Sequence, residues 1–400
     1  MSSPSSSSPR PLDGITVISL EQAVAAPLCT RHLAEMGARV IKIERPGTGD
    51  FARHYDERVH GLSSHFVWVN RSKESLTLNL KHPSAMAIMH QLLQEADVLV
   101  QNLAPGAADR LGLSFKTLQP TYPQLVVCDI SGYGQGGPYE TKKAYDLLIQ
   151  AESGFLSVSG SPDNIAKAGC SVADIAAGMY AHSSILAALM LRDRTNEGSH
   201  IDVSMLESAI EWMGFPMYYA FEGATPPPRA GAAHATIYPY GPFAVADGSE
   251  VMLGLQNERE WQAFCREVLG DADLVDDPRF ASNSLRLENK QALRTKILAA
   301  FASLSRDQVI QLLDQAGIAN AHVNTMHDVW AHPQLAARDR WTTVDSPAGT
   351  LPALTPPANS TAYTPRVSAI PELGAHTHRI LTELGYTGEQ IQQYASDGVI

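Results

Sequence analysis

The chain has 400 residues, of which 44% are hydrophobic and 18% charged; this is enough for one large core and a second smaller one, and apolar segments broken by turns exclude a disordered chain. The formal net charge of -12 argues against nonspecific binding to nucleic acid or to an anionic membrane, although a few lysines and arginines can still hold an anion in a local pocket. Cys29, Cys128, Cys170 and Cys265 are widely spaced and form no CxxC pair, so neither a disulfide framework nor a thiolate metal site is expected.

The opening stretch "MSSPSSSSPRP" lacks the apolar core of a secretory signal, and no later window approaches a membrane span of about 20 uninterrupted apolar residues. Residues 1–12 are expected to be a flexible tail on a cytoplasmic protein. "GITVISL" then reads as a strand, "EQAVAAPLCTRHLAEMGA" as a helix and "RVIKIE" as a second strand, an order that suggests a parallel βαβ unit. The pattern recurs. "PSAMAIMHQLLQEA" is helical with a proline near its start, "DVLVQN" is a strand, and "AADRLGLSFKTLQPTYP" leads through helical pieces to the strand "QLVVCDIS". Helices covering a parallel sheet place the ligand near the carboxyl ends of the strands. The first strand is not followed by G-x-G-x-x-G, which gives a dinucleotide-binding enzyme little support, and "GYGQGGP", Gly132 to Pro138, is not a Walker A sequence.

Further on, "SVADIAAGMYAHSSILAALMLR" is a long helix with small residues on several faces, and "GSHIDVSMLESAIEWMGFPMYYAF" is a strand followed by another helix. Composition changes at "EGATPPPRAGAAHATIYPYGPF", which reads as a linker or irregular loop. "FAVADGSEVMLGL" resembles a β-hairpin turning at Asp247 and Gly248, and three helix candidates follow, "EREWQAFCREVLG", "ENKQALRTKILAAFAS" and "SRDQVIQLLDQAG". The fold class is therefore α/β: a large Rossmann-like parallel-sheet domain over residues 13–224 and a smaller α+β domain over 225–328. Residues 329–400 form a return linker and the C-terminal part of the large domain, with "HTHRILTELG" as a terminal helix.

Asp146 stands in "TKKAYDLLIQAESG", directly before an apolar run. Read alone, it is equally a helix cap, a buried polar partner or a surface carboxylate, and no His/Asp/Glu pattern beside it suggests a metal. It follows "DISGYGQGGPYE", where a strand and a glycine-rich turn can expose it to substrate. A carboxylate so placed can attack an activated acyl group, and backbone N–H groups of the turn can stabilise the developing oxygen charge.

The motifs "VIKIERPGTGDFAR", "NRSKESLTLNL", "APGAADRLGL", "SGYGQGGPY", "KAYDLLIQAESG", "HPQLAARDRW" and "GAHTHRILTELGY" keep their order over nearly the whole chain from Gly14 onward. In them the sequence resembles the family III CoA-transferases, the CaiB/BaiF family. The resemblance implies that Asp146 is the catalytic nucleophile, forming an aspartyl acyl anhydride and then an aspartyl-CoA thioester. It implies a CoA site built from Lys42, Arg45, Asn70, Arg71, Lys73, Asn102 and Arg110, with Tyr145 beside the nucleophile and with Gly134, Gly136 and Gly137 giving close backbone access. Arg229, His234 and Tyr238 are candidates to meet the second carboxylate of a diacid. The partners implied are an acyl-CoA, a small dicarboxylic acid and a second copy of the chain in an interlocked homodimer. Coenzyme A enters as a substrate thioester and no tightly bound cofactor, metal, nicotinamide or flavin is required.

A racemase of the same family carries a His-Asp pair where this chain has Tyr145 and Asp146, and a second acid where it has Asp174. An unassisted tyrosine, with a pKa of about 10, is poorly matched to a base's duty, which disfavours racemisation. Formyl and oxalyl transferases resemble a pattern with glutamine three places before the proline of the first helix, where this chain has Val24. "LEQAVAAP", "HFVWVNRSKESLTLNL" and "AGAAHATIYPYGPF" look more like the branch handling C4 and C5 diacids. Succinyl-CoA with itaconate is the expected pair. Malate or citramalate as acceptor, transfer within mesaconyl-CoA, and a CoA-binding protein without catalysis are the alternatives.

Overall fold

The computed structural model describes residues 9–400, so residues 1–8 of the expected tail lie outside the described residues. The chain divides into two compact units. The larger comprises the chain up to Ser153, Ala168–Met213 and Leu335–Ile400; the smaller comprises Gly154–Lys167 and Gly214–Gln334.

The larger unit is built on six strands: β1 (Thr16–Leu20), β2 (Arg39–Glu44), β3 (Glu74–Thr77), β4 (Val98–Gln101), β5 (Val126–Ser131) and β6 (His200–Ser204). They lie in the order β3-β2-β1-β4-β5-β6, and every neighbouring pair is parallel. Successive side chains of a strand point to opposite faces, and here both faces are covered. Val17, Val40, Val98 and Val126 enter one core with α1 (Ala25–Glu35), while their neighbours Ile18, Ile41, Leu99 and Val127 enter a second core with α2 (Pro83–Gln94). Burial on both sides is why these strands carry apolar residues at consecutive positions rather than in strict alternation. β3 escaped sequence reading because "ESLT" is short and has leucine as its one apolar residue.

Three more helices matter for the site: α3 (Asp146–Glu152), α4 (Val172–Thr195) and α5 (Met205–Trp212). By length and composition α4 could cross a membrane, but Ala173, Ala177, Ala181 and Ile185 are buried in the first core together with residues of α1. Its small residues permit close contact: a Cβ added at Gly178 would press on the Ala25 carbonyl. Within the returning segment, Trp341–Ser346 and Gly349–Leu354 form an antiparallel hairpin.

Chain connections leave β1 and β4, neighbours in the sheet, toward opposite sides, which opens a crevice beyond their carboxyl ends. Two loops meet there. The Gln22 N–H donates to Asn102 Oδ1 (2.8 Å), and Asn102 Nδ2 donates to the Gln22 carbonyl (2.9 Å).

The smaller unit holds a three-stranded antiparallel sheet, β7 (Tyr240–Ala244), β8 (Glu250–Gly254) and β9 (Ala319–His322), in that order. The β7–β8 hairpin turns at Asp247 and Gly248, as its sequence indicates; Gly248 has φ +81 and Asp247 Oδ1 accepts from the Ser249 N–H. Phe243, Val251, Trp261, Phe264, Phe280 and Phe301 fill a core of this unit's own.

Candidate active site

Asp146 is the first residue of α3, with Tyr145 at the cap in extended conformation. Its two carboxylate oxygens have different surroundings. Oδ1 accepts the backbone N–H of Ala173 (2.8 Å) and of Asp174 (3.2 Å), while Oδ2 accepts Nε2 of Gln150 (2.6 Å). The amides belong to the first turn of α4, where backbone N–H groups have no partner within the helix. Gln150, one helical turn after Asp146, is buried, and its Oε1 takes the Ala168 N–H at 2.9 Å. Ile149 and Gln150 face inward while Tyr145, Leu147 and Leu148 are exposed, so the short amphipathic helix holds Asp146 half-buried at its start.

A second carboxyl lies beside the first. Burial, and then the charge of Asp146, push Asp174 up to about 7. Tyr55 belongs to the same neighbourhood: burial, followed by the charges of Asp50, Asp174 and Tyr145, raises its hydroxyl to about 12. Sequence reasoning missed Tyr55 and Gln150. For Gln150 the i, i+4 spacing from Asp146 was the available signal.

The glycine-rich loop after β5 is pinned from below. Gly134, Gly136 and Gly137 all have φ near +80, which only glycine adopts without strain. The Gly134 N–H donates to Ser131 Oγ (2.9 Å) and the Gln135 N–H to Asp202 Oδ2 (2.8 Å). Asp129, buried on β5, accepts from Gln135 Nε2 (2.9 Å), Gln101 Nε2 (2.8 Å) and His200 Nε2 (2.8 Å). That last bond holds the imidazole above its ordinary pKa, against partial burial. At the other end of the loop's first turn, a Cβ at Gly132 would fall onto Ala144, two residues before Asp146.

The residues expected at the CoA site separate into two groups. Lys42, Asn70, Arg71 and Lys73 are buried and engaged within the unit. Lys42 Nζ meets Asp50 (2.7 Å) and Glu21 (3.3 Å), and Lys73 Nζ meets Glu21 (2.6 Å), the Pro27 carbonyl (2.9 Å) and Asn70 Oδ1 (3.1 Å). Arg71 meets Glu35 (2.5 Å) and the Leu354 carbonyl (2.7 Å). Burial opposes the Lys42 charge, but Glu21 and Asp50 outweigh it and its pKa rises; for Lys73 burial prevails and lowers it to about 8. Arg45 and Arg110 are exposed instead, and neither has an ion-pair partner among the described residues. Arg45 directly follows β2 and Arg110 lies in the segment after β4, at the carboxyl edge of the sheet.

Arg229, His234 and Tyr238 come together on one pocket of the smaller unit, with a volume of about 490 Å³. Among the described residues no group of three or more His, Cys, Asp or Glu side chains is placed to hold a metal ion.

Residues 12–377 match CoA-transferase family III. The chain is 34% identical to a succinate–glutarate CoA-transferase of Agrobacterium fabrum, over 94% of this chain and 96% of that protein. It is 31% identical to the succinyl-CoA:glutarate CoA-transferase of Mus musculus, over 98% of this chain and 90% of that one. Among solved structures, a CAIB/BAIF family protein from Brucella suis aligns with a TM-score of 0.83 at 33% identity, covering 94% of this chain and 99% of that chain.

Proposed function

From the premise that this chain belongs to CoA-transferase family III and is a CoA-transferase acting between acyl-CoA and dicarboxylic acids, we propose that it moves coenzyme A from succinyl-CoA to a five-carbon diacid. Glutarate is the first acceptor to test, because the full-length relatives described above carry it in their names. Itaconate, expected from the sequence, is also a five-carbon diacid and comes next, followed by malate and citramalate.

The proposed nucleophile is Asp146, and the observation that carries this reading is the unequal holding of its two oxygens. Oδ2 attacks the thioester carbonyl of succinyl-CoA; the C–S bond breaks, leaving an aspartyl succinyl anhydride and the CoA thiolate. The thiolate then attacks the aspartyl carbon. Its bond to the bridging oxygen breaks, succinate departs with that oxygen, and an aspartyl-CoA thioester remains. A carboxylate of the acceptor attacks the same carbon and expels the thiolate. Attack of the thiolate on the acceptor's acyl carbon gives the new thioester and restores the carboxylate.

In the two steps at the aspartyl carbon, Oδ1 is the oxygen that takes negative charge. The Ala173 and Asp174 amides, at the N-terminus of a 24-residue helix, already point at it. Arg45 and Arg110 are the proposed partners of the CoA phosphates, since their guanidinium charge is not already taken. Lys42, Asn70, Arg71 and Lys73 support the same edge from beneath, and Asn102 ties its two loops together. Tyr145 and the loop of Gly134, Gly136 and Gly137 flank Asp146 in sequence and are proposed to line the thioester. A homodimer is part of the proposal.

The test supplies succinyl-CoA with glutarate, itaconate, malate, citramalate, formate or oxalate and ranks new thioester formation. A chain that uses oxalate or formate in preference to every five-carbon diacid would reject the substrate assignment. Asp146→Asn is expected to lower kcat by on the order of 10⁴-fold or more. In the wild type, mass spectrometry after mixing with succinyl-CoA is expected to find CoA on the peptide containing residue 146, with hydroxylamine converting it to a hydroxamate. Full turnover by the variant would remove Asp146 from the mechanism.

A further inference from the structure

The pocket in the smaller unit has an unusual charge for this chain. In a protein of net charge -12, none of its lining residues is an aspartate or glutamate, and two, Arg229 and Lys290, are cations. Its volume of about 490 Å³ lies in the range of small-molecule sites. Pro226, Pro227 and Pro228 form part of the wall, and their fixed φ makes that wall stiff.

Arg229 and His234 are each oriented by contacts that leave one donor over. Arg229 Nε donates to the Ser161 carbonyl (3.0 Å) and Nη2 to the Pro162 carbonyl (2.7 Å), which fixes the guanidinium plane and leaves Nη1 without a hydrogen bond among the described residues. His234 Nδ1 accepts the N–H groups of Thr236 (3.2 Å) and Ile237 (3.1 Å), so a neutral ring carries its proton on Nε2 and is a donor there. The ring stacks on Tyr240 with centroids 5.3 Å apart. Lys290 is exposed and has no ion-pair partner among the described residues. It is the first residue of the helix Lys290–Phe301, a position where a cation works against the helix dipole, so helix stability gives no reason for a lysine there.

We propose that this pocket binds a small dicarboxylate, with Arg229 and Lys290 meeting its carboxylates and Lys290 setting the preference for diacids over monoacids. The choice of a diacid rests on the function proposed above; the anionic character of the ligand rests on the pocket itself. A CoA phosphate offers similar charge, so the experiment separates the two sources.

Isothermal titration without any acyl-CoA reads binding apart from turnover. The wild type is expected to bind glutarate and to bind butyrate much more weakly. Lys290→Ala is expected to weaken glutarate binding about tenfold while leaving butyrate unchanged, and Lys290→Arg to restore it. In turnover, Lys290→Ala raises KM for the diacid far more than it lowers kcat. Absence of glutarate binding to the wild type, equal glutarate affinity in the wild type and Lys290→Ala, or displacement of glutarate from the pocket by adenosine 3′,5′-bisphosphate would overturn the proposal. Turnover of glutarate with an unchanged KM in Lys290→Ala sinks this inference and spares the proposed function. Lys290-dependent glutarate binding in a protein that transfers no CoA to any diacid does the reverse.

Discussion

Asp174 keeps its proton to about pH 7 because burial, and then the charge of Asp146, oppose a second anion at the head of α4. Its ordinary value is 3.8, so as pH rises from that value toward 7 the unfolded chain gives up a proton that the folded chain retains. Stability is therefore lost across that window, by at most about 4 kcal/mol at roughly 1.4 kcal/mol per pH unit. Asp174→Asn removes the ionisation. Denaturant unfolding at pH 5 and pH 8 is expected to show a smaller loss in the variant than in the wild type. On the proposed route, ionisation of Asp174 also sets a second negative charge beside Asp146, where the thiolate would depart, so kcat/KM is expected to fall above about pH 7 in the wild type and to lose that limb in the variant. Residues of this kind divide sharply in how far sequence reveals them. Asp146 stood out through its motif, and Asp174 was visible as the second acid of a racemase pattern. The Gln150 contact with Asp146 is local to α3, whereas the Ala168 amide on Gln150, the α4 amides on Asp146 and the neighbourhood of Tyr55 exist only once segments distant in sequence meet.

The ends of β1 and β2 carry a buried charge network whose partners lie far apart in sequence. Glu21 serves both Lys42 and Lys73 and also accepts from Thr30 Oγ1 (2.5 Å). "RVIKIE" reads as a strand because its apolar residues dictate one, and only the family resemblance implies a CoA contact for its lysine. Nothing local reveals that Lys42 points at a glutamate from the preceding strand-to-helix turn. Glu21→Gln leaves two buried ammonium groups short of their shared anion and is expected to destabilise the fold by about 3–5 kcal/mol, measured by chemical denaturation. An unchanged midpoint would mean that water or Asp50 compensates. Arg45 and Arg110 differ from Lys42 in being exposed outside the strands and in lacking such a carboxylate. Pattern alone could not separate the two sets. Short polar strands such as β3 and β9 were illegible for a related reason: the sheet supplies their stability, and their own residues announce little.

The whole molecule's architecture was largely readable, because repeated strand and helix alternation admits few arrangements other than a parallel sheet with covered faces. The smaller unit's hairpin was equally plain from its Asp-Gly turn. What composition could not supply is the surface at 215–221. Phe215, Met217, Tyr218 and Phe221 are exposed, Tyr218 to 80%, and the helix Gly214–Tyr219 has no buried residue. So dense an apolar surface suits the proposed pairing with a second copy. Sedimentation is expected to give twice the mass of one chain, and Tyr218→Glu with Phe215→Glu to shift it toward the monomer; a monomeric wild type would reject the pairing. The unequal oxygens of Asp146 reach furthest of all, across successive catalytic cycles. On the proposed route the leaving acid carries away Oδ2, and the incoming acid supplies its replacement, while Oδ1 never exchanges. The enzyme therefore lends an atom and is repaid by the next guest: succinate released in one cycle holds an oxygen that entered with the previous acceptor, and a heavy-isotope acceptor leaves a single labelled oxygen on the side chain, never a pair.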